Sequence, residues 1–320
     1  MKLQENSSHN KIVIVGAGQV GATTAFTLIS SKVVSEIVLI DINQAKAEGE
    51  VLDLRDGLPF LQPVEINMSD YSACQDADII IIAAGHNQEP GETRLDLTQK
   101  NVAVFNDMLP QILEYNPSPL LLIATNPVDV LTHYTLYSTG LSPEQVLGTG
   151  TVLDSARLHY ALSRHCQIDP RCIYGYVIGE HGDGAVIIWS ALQIAGMKLK
   201  DFCSTCGKGC AHLEPIEDEV KNAAYNIIDR KGATFYSIAL AIRRIVESIL
   251  RNENSILTVS SLVNNYYGIN DVCLSLPAII NRQGNIMPIP IPLDEMEEKA
   301  LQETANKLKS ISEPFMFSLA

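Results

Sequence analysis

The sequence predicts an α/β protein with a Rossmann-type doubly wound parallel sheet, followed by an α+β domain. Short apolar segments recur through the first half without polar alternation, which is typical of parallel strands buried on both faces. Helix-like stretches separate these segments, as βαβ units require. After Gly150 the regular alternation ends, and longer helices mix with short strands. The chain therefore reads as two domains.

The first half carries the strand signals in order. We expect a disordered polar tail over residues 1–10 and a dinucleotide-type domain over residues 11–150. Its predicted strands are Lys11–Val15, Ile37–Ile40, Ile79–Ile82 and Leu120–Ile123. The predicted helices between them include Val20–Ser31 and Leu97–Glu114.

The second half, residues 151–320, lacks the regular alternation of strand and helix signals. Its amphipathic spacing predicts a first helix at Thr151–His165 and a terminal helix at Asp294–Ser310. A long helical region is predicted at Glu214–Leu250. The predicted strands are Cys172–Gly179, Ala185–Trp189, Ser255–Val263 and Val272–Ile280. This half is predicted to form the α+β partner domain.

Composition excludes several classes of protein. The net charge of −14 makes nucleic acid a poor partner, since phosphate binding needs clustered Lys and Arg. The polar N-terminus has no signal-peptide pattern, and no apolar run reaches the roughly 18–20 residues that span a bilayer. Seven cysteines without an export signal predict reduced thiols. We therefore expect a cytoplasmic protein that binds no membrane.

A glycine-rich loop follows the first strand directly. Gly16, Gly18 and Gly21 have the spacing of a dinucleotide-binding turn, with Gln19 and Val20 between the last two. The first glycine permits the tight turn, the second lets the backbone approach a pyrophosphate, and the third allows close packing of helix and strand. The N-terminus of the next helix offers unpaired N–H groups to phosphates.

An acidic residue supports the same interpretation. Asp41 ends the second strand, about 20 residues after the last glycine. A carboxylate there binds ribose hydroxyls and repels a 2′-phosphate, so the sequence favours NAD over NADP. A glycine turn that only joins strand to helix is the structural alternative.

Three residues in the second half are candidates for acid–base chemistry on a small acid. His181 lies between glycines just after a predicted strand, and histidine exchanges protons near neutral pH. Asp154 and Arg157 are one helical turn apart and share a helix face. The carboxylate could hold the imidazole, and the guanidinium could bind a substrate carboxylate through two bonds. The alternatives are a structural or surface histidine for His181 and a surface ion pair for Asp154 and Arg157.

A polar loop follows the strand that ends at Ile82. Residues 85–94 are rich in Gly, Pro and polar side chains, which suits a lid over a bound substrate. Arg94 would then approach the substrate oxygen only when the lid closes. An ordinary solvated loop is the alternative.

From Lys11 onward the chain resembles the L-lactate/L-malate dehydrogenase family, and the lactate branch more than the malate branch. The matching segments are residues 16–21, Asp41, 88–97, 125–129, 148–157, 179–183 and 231–234. They cover both domains in the family's order.

The resemblance implies a role for each matching residue. It makes His181 the proton acceptor and donor, Asp154 its partner and Arg157 the carboxylate anchor, with Arg94 as the mobile lid residue and Asn126 bound to the reacting oxygen. It places Val20, Lys46, Gly85 and Thr125 along NAD with the glycine loop. It also implies an oligomer, for which we expect a homotetramer.

The substrate is predicted from two further positions. Malate enzymes carry arginine at the lid position of Gln88, and a neutral amide would leave a second buried carboxylate unpaired. Thr234 matches the lactate branch. The sequence therefore favours the reversible NAD-dependent interconversion of a small 2-hydroxy acid and its 2-oxo acid, lactate and pyruvate. A malate enzyme, an enzyme for larger 2-hydroxy acids and an inactive NAD-binding protein remain alternatives.

Two further features concern regulation and metals. Relatives activated by fructose 1,6-bisphosphate carry Arg and His where this chain has His159 and Tyr174, so we expect no such activation.

Cys203, Cys206 and Cys210, with His212, form one short cluster. A structural zinc site draws ligands from two separated pairs, so we expect no metal here. We expect inert thiols, and a redox-sensitive cluster is the alternative.

Overall fold

The computed structural model describes residues 10–87, 91–206 and 213–316. The strands are β1 (Lys11–Val15), β2 (Glu36–Ile40), β3 (Glu65–Met68), β4 (Ile79–Ile82), β5 (Leu121–Ile123), β6 (Val146–Gly148), β7 (Ile173–Tyr174), β8 (Val177–Gly179), β9 (Ala185–Ile187), β10 (Gln193–Ile194), β11 (Met197–Lys198), β12 (Ser255–Tyr266), β13 (Ile269–Asn281) and β14 (Gly284–Pro288). The helices are α1 (Gln19–Ile29), α2 (Gln44–Asp56), α3 (Arg94–Tyr115), α4 (Val128–Thr139), α5 (Val152–Cys166), α6 (Leu199–Cys206), α7 (Glu214–Lys231), α8 (Tyr236–Leu250) and α9 (Glu295–Met316).

The first six strands form the predicted parallel sheet. They lie in the order β3-β2-β1-β4-β5-β6 and all pair in parallel. The order reverses between β1 and β4, which is the switch point where ligands bind in such sheets. The predicted doubly wound fold is confirmed.

Both faces of this sheet are buried, which explains the unbroken apolar strands. Ile12 and Ile14 of β1 pack on the side of α1 and α8. Val13 and Val15, their neighbours in sequence, pack on the opposite side with α3 and α4. With helices on each side, no strand residue needs to be polar.

The sheet continues into the second half of the chain. β12 pairs with β6 through Ser260 and Gly148, and β13, β8 and β9 follow in antiparallel order. The sequence did not predict this continuity, because a three-residue strand such as β6 carries too little pattern to be recognised. A further small sheet has the order β11-β10-β7.

Two predicted elements differ from the structure. The single strand predicted at Cys172–Gly179 is two strands in different sheets, β7 and β8. The single helical region predicted at Glu214–Leu250 is divided into α7 and α8 by Gly232, whose φ of +85° ends α7 in the left-handed conformation. The break was not predicted from the sequence, because an apolar helical period is present on both sides of it.

Candidate active site

The glycine loop connects β1 to α1 in the way that its spacing predicts. Gly16 has a φ of +103°, and its N–H donates to the carbonyl of Ile40 at 2.7 Å. A Cβ on Gly21 would collide with the Gly16 carbonyl. No atom lies within 4 Å of the Cβ position of Gly18, which is the N-cap of α1. A ligand phosphate can therefore approach the backbone at Gly18 and the first N–H groups of α1.

Asp41 holds this loop against β2. Its Oδ2 accepts from the Ala17 N–H at 2.7 Å, and its Oδ1 accepts from the Asn43 N–H at 2.8 Å. The carboxylate is half-buried at the edge of a cleft of about 1030 Å³. The predicted cofactor residues that line this cleft are Gly16, Gly18, Gln19, Val20, Asp41, Lys46 and Gly85. The open backbone at one point and the carboxylate at the other fit a dinucleotide without a 2′-phosphate.

A narrower cavity of about 270 Å³ adjoins the cleft. Val20, Gly85 and Thr234 line both spaces. The residues predicted for substrate or cofactor that line the narrower cavity are Val20, Gly85, Thr125, Asn126, Arg157, His181 and Thr234. Segments that are far apart in the sequence therefore meet beside the cofactor cleft.

Asp154 joins the proposed proton carrier to the proposed carboxylate anchor. His181 Nδ1 donates to its Oδ2 at 2.6 Å, and Arg157 Nη1 donates to its Oδ1 at 2.9 Å. The Asp154 side chain is only 8% exposed. Because Asp154 occupies Nδ1, the ring nitrogen left to exchange a proton with a ligand in the cavity is Nε2.

The charges in this cluster oppose the effect of burial on both pKa values. Burial alone would lower the pKa of His181, but the charge and hydrogen bond of Asp154, with the charge of Asp129, raise it above its ordinary value. Burial alone would raise the pKa of Asp154, but His181 and Arg157 hold it below its ordinary value. The pair therefore favours an imidazolium beside a carboxylate.

Asp129 also holds His181, and sequence reasoning gave it no role. Its Oδ2 accepts from the His181 backbone N–H at 2.8 Å. Asp129 is 2% exposed, and burial raises its pKa to about 6 despite the hydrogen bond from the His181 backbone N–H. The residue belongs to the segment 125–129 that carried the family resemblance. No spacing rule connects it to His181, which lies 52 positions later.

Arg94 lies beside the site but not in its wall. Its Nη2 contacts Glu180 Oε1 at 2.6 Å, and Glu180 is fully buried. The same nitrogen is 3.5 Å from the His181 carbonyl oxygen. Arg94 is absent from the described residues that line the narrower cavity. Gln88, the predicted specificity residue, lies outside the described residues.

The cysteine cluster is only partly described. Cys203 is 2% exposed and disulfide-bonded, which corrects the expectation that all seven cysteines are reduced. Cys210 and His212 lie outside the described residues, as does the side chain of Cys206. Within residues 10–87, 91–206 and 213–316, no three His, Cys, Asp or Glu side chains are grouped to hold a metal ion. In those same ranges, none of the helices combines the length and apolarity needed to cross a bilayer.

Comparison with known proteins matches both halves of the chain. The family model for the lactate/malate dehydrogenase NAD binding domain matches residues 10–148, and the model for the alpha/beta C-terminal domain of that family matches residues 151–317. The L-lactate dehydrogenase of Thermoanaerobacter pseudethanolicus is 51% identical over 304 residues, which are 94% of this chain and 98% of that protein. The L-lactate dehydrogenase of Acetivibrio thermocellus is 49% identical over 311 residues, with 97% and 98% covered.

A solved structure agrees with these matches. The minor L-lactate dehydrogenase from Enterococcus mundtii superposes with a TM-score of 0.92 at 38% identity. The match covers 96% of this chain and 98% of that one. The similarity therefore extends through both halves of the fold.

Proposed function

The chain belongs to the lactate/malate dehydrogenase family, and from this premise we propose that it is an NAD-dependent L-lactate dehydrogenase. The observation that carries the proposal is the contact of Asp154 with both His181 and Arg157 at the wall of a cavity next to the dinucleotide cleft. This geometry suits a small 2-oxo acid whose carboxylate must be anchored and whose carbonyl oxygen must be protonated beside a nicotinamide. The 46–51% identity to proteins named L-lactate dehydrogenase supports the same reaction.

The protein's side chains handle the proton in this reaction. Bound NADH supplies the hydride that reduces the 2-oxo carbon of pyruvate. His181 donates its Nε2 proton to the carbonyl oxygen during reduction and takes it back during lactate oxidation. Asp154 keeps the ring oriented and favours its protonated form, as the raised pKa of His181 indicates.

Two arginines and an asparagine would bind the oxygen atoms of the substrate. Arg157 uses one donor on Asp154, and its guanidinium has further donors for the substrate carboxylate. Arg94 starts α3 at the end of the predicted lid and would leave Glu180 to contact the reacting oxygen on closure. Asn126 would donate to the same oxygen, and residues 16–21, Asp41, Lys46, Gly85 and Thr125 would bind NAD.

Substrate choice rests on Gln88 and Thr234. A second substrate carboxylate needs a cation, and the amide of Gln88 does not provide one. We therefore assign pyruvate rather than oxaloacetate. We also propose that the protein works in the cytoplasm as a homotetramer, which the resemblance to the lactate/malate dehydrogenase family supports.

The test is NADH oxidation, followed at 340 nm, with pyruvate, oxaloacetate and longer 2-oxo acids. We expect kcat/KM to be highest for pyruvate, and Gln88→Arg to shift the preference toward oxaloacetate. Equal wild-type kcat/KM values for the two acids would refute the substrate assignment. Binding of NADH without turnover of any 2-oxo acid would instead indicate an inactive NAD-binding protein.

A further inference from the structure

A buried amide on the lid helix joins two walls of the active site. Asn101 lies on α3 and is 0% exposed. Its Oδ1 accepts from the His86 N–H at 2.7 Å, and its Nδ2 donates to the His86 carbonyl at 3.2 Å. The same Nδ2 donates to the Asn126 carbonyl at 2.7 Å. Both sides of one amide group are therefore satisfied by backbone groups.

The two segments that Asn101 joins are both functional. His86 lies in the loop after β4 and lines the cofactor cleft and the narrower cavity. Asn126 follows β5 and lines the narrower cavity beside His181. The segments belong to neighbouring strands, and strand pairing does not extend to either residue. Asn101 supplies the cross-link beyond the ends of the strands.

The junction has little room to adjust. A Cβ on Gly85 would collide with Thr125 Cγ2 and lie 3.0 Å from Asn101 Oδ1. Thr125 Oγ1 donates to the Ala84 carbonyl at 2.7 Å, which adds a second link between the same two loops. Displacement of Asn101 would therefore shift the loop at Gly85 and His86, the loop at Asn126, or both.

We infer that Asn101 is a positioning residue, which fixes the loop at Gly85 and His86 relative to Asn126 across the reaction site. The inference deepens the proposed function and rests on it. In the proposed reaction the loop after β4 would lie beside the nicotinamide, since it lines both the cofactor cleft and the narrower cavity, and Asn126 would bind the oxygen that is reduced. Their separation then sets the distance between hydride donor and acceptor, although Asn101 touches neither reactant.

The alternative is that Asn101 only stabilises the fold, and a matched amide at the other end of α3 separates the two roles. Asn116 is the C-cap of this helix, where its Nδ2 donates to the Cys74 carbonyl at 3.0 Å and its Oδ1 accepts from the Ser118 N–H at 3.3 Å. It joins backbone segments as Asn101 does, and it lines neither active-site space. Removal of either amide should lower stability, but only removal of Asn101 should misalign the reactants.

The experiment compares Asn101→Asp and Asn101→Ala with Asn116→Asp and Asn116→Ala. Asp has nearly the shape of Asn but loses both donors when ionised, whereas Ala loses every bond. For each variant we would measure Tm, the Kd of NADH by fluorescence, and kcat and KM with pyruvate. We expect both Asn101 variants to lose about 10–100-fold in kcat, since small misplacements are costly in hydride transfer. Their KM and Kd should stay within about threefold of wild type, as expected when only the transition state is affected.

The results separate this inference from the proposed function. Asn101 variants whose kcat matches that of the Asn116 variants would overturn the inference while leaving the dehydrogenase assignment intact. If neither Asn101 variant folds while the Asn116 variants do, the role is structural and the inference is again overturned. Failure of the wild-type enzyme to reduce pyruvate would overturn both.

Discussion

In the proposed reaction the chemistry depends most on Asp154, because one of its oxygens binds His181 and the other binds Arg157. His181 and Arg157 approach it from a loop and from the same helix, respectively. An isosteric amide would keep the shape but remove the negative charge that favours the imidazolium. The charge and the shape can therefore be tested separately.

We predict that Asp154→Asn lowers kcat/KM for pyruvate reduction by about 100-fold or more, which is typical for impaired general acid catalysis. The raised pKa of His181 keeps the ring protonated to higher pH, so wild-type pyruvate reduction should fall as the pH rises through that pKa. Without the carboxylate, this fall should begin at lower pH. Profiles of kcat/KM against pH for both enzymes provide the measurement, and coincident profiles would contradict the role of Asp154.

The same pair affects stability with a defined sign. A histidine whose pKa is raised on folding contributes stability that is fully present below the pKa of the unfolded chain. That contribution is lost as the pH rises through the higher pKa of the folded state. The free energy of unfolding of the wild type should therefore exceed that of Asp154→Asn by less at alkaline pH than at acidic pH.

Reasoning from the residues alone predicted site residues only where a chemical type and a local spacing coincided. Residues such as Asn126 and Thr234 were predicted only from the family resemblance. Asp154 and Arg157 share a helix turn, and His181 lies in a glycine-flanked motif, so a recognisable pattern existed. Asp129, Glu180 and Asn101 bind backbone groups or charges from distant segments. Such contacts depend on the tertiary fold and leave no periodic signal.

Among the elements, α3 carries Arg94 at its first position and the buried Asn101 in its interior. Thr93 caps the helix, with reciprocal bonds between Thr93 and Asp96. This fixes where the helix begins and so where Arg94 stands. The Arg94 side chain is 31% exposed and pairs with buried Glu180, from which lid closure would have to release it.

We predict that Arg94→Gln lowers kcat for pyruvate by about 100–1000-fold, the usual effect of losing a donor to a developing oxyanion. Arg164→Gln is the matched control, because Arg164 forms an exposed ion pair with Glu219 at 3.0 Å. The control should keep the wild-type kcat, since exposed ion pairs contribute little to stability. Steady-state kinetics with saturating NADH provides the test, and a wild-type kcat in Arg94→Gln would remove Arg94 from the reaction.

The break between α7 and α8 places Thr234 in the walls of the cofactor cleft and of the narrower cavity. Sequence reasoning missed the break because both helices have the same apolar period. Gly232 has a φ of +85°, and no atom lies within 4 Å of its Cβ position. Any cost of a side chain there is therefore conformational and not steric.

We predict that Gly232→Ala destabilises the protein by about 1–2 kcal/mol, the cost of a left-handed conformation for an L-residue. Gly49→Ala is the control, because Gly49 lies within α2 with equally open space around its Cβ position. That change should be stabilising by about 0.5–1 kcal/mol, since Ala favours a helix interior. Denaturant unfolding of both variants tests the opposite signs, and equal signs would contradict the explanation of the break.

At the scale of the whole molecule, the sequence predicted the parallel half of the sheet better than the rest. Strands such as β1 and β4 each contain four consecutive apolar residues that are buried on both faces. β6 and β8 are only three residues long; β6 pairs with β12, and β8 with β13, through one residue pair each. The continuous sheet follows from these tertiary pairings, which the local pattern does not contain.

The last prediction concerns response to a sugar bisphosphate, which depends on charge across the molecule. His159 Nε2 donates to the Gly175 carbonyl at 2.8 Å, and burial lowers the pKa of His159. The imidazole therefore loses its proton at a lower pH than an ordinary histidine does. Tyr174, next to Gly175, is 62% exposed and carries a phenol rather than a cation.

A molecule with a net charge of −14 binds a bisphosphate only through local cations, and neither His159 nor Tyr174 supplies one. We therefore predict that fructose 1,6-bisphosphate changes kcat/KM for pyruvate by less than about twofold, because a neutral imidazole and a phenol cannot replace paired cations. The assay compares initial rates at low pyruvate with and without the sugar, with sucrose as the uncharged control and light scattering to follow the oligomeric state. Strong activation, or assembly that depends on the bisphosphate, would show that cations elsewhere on the molecule form the site.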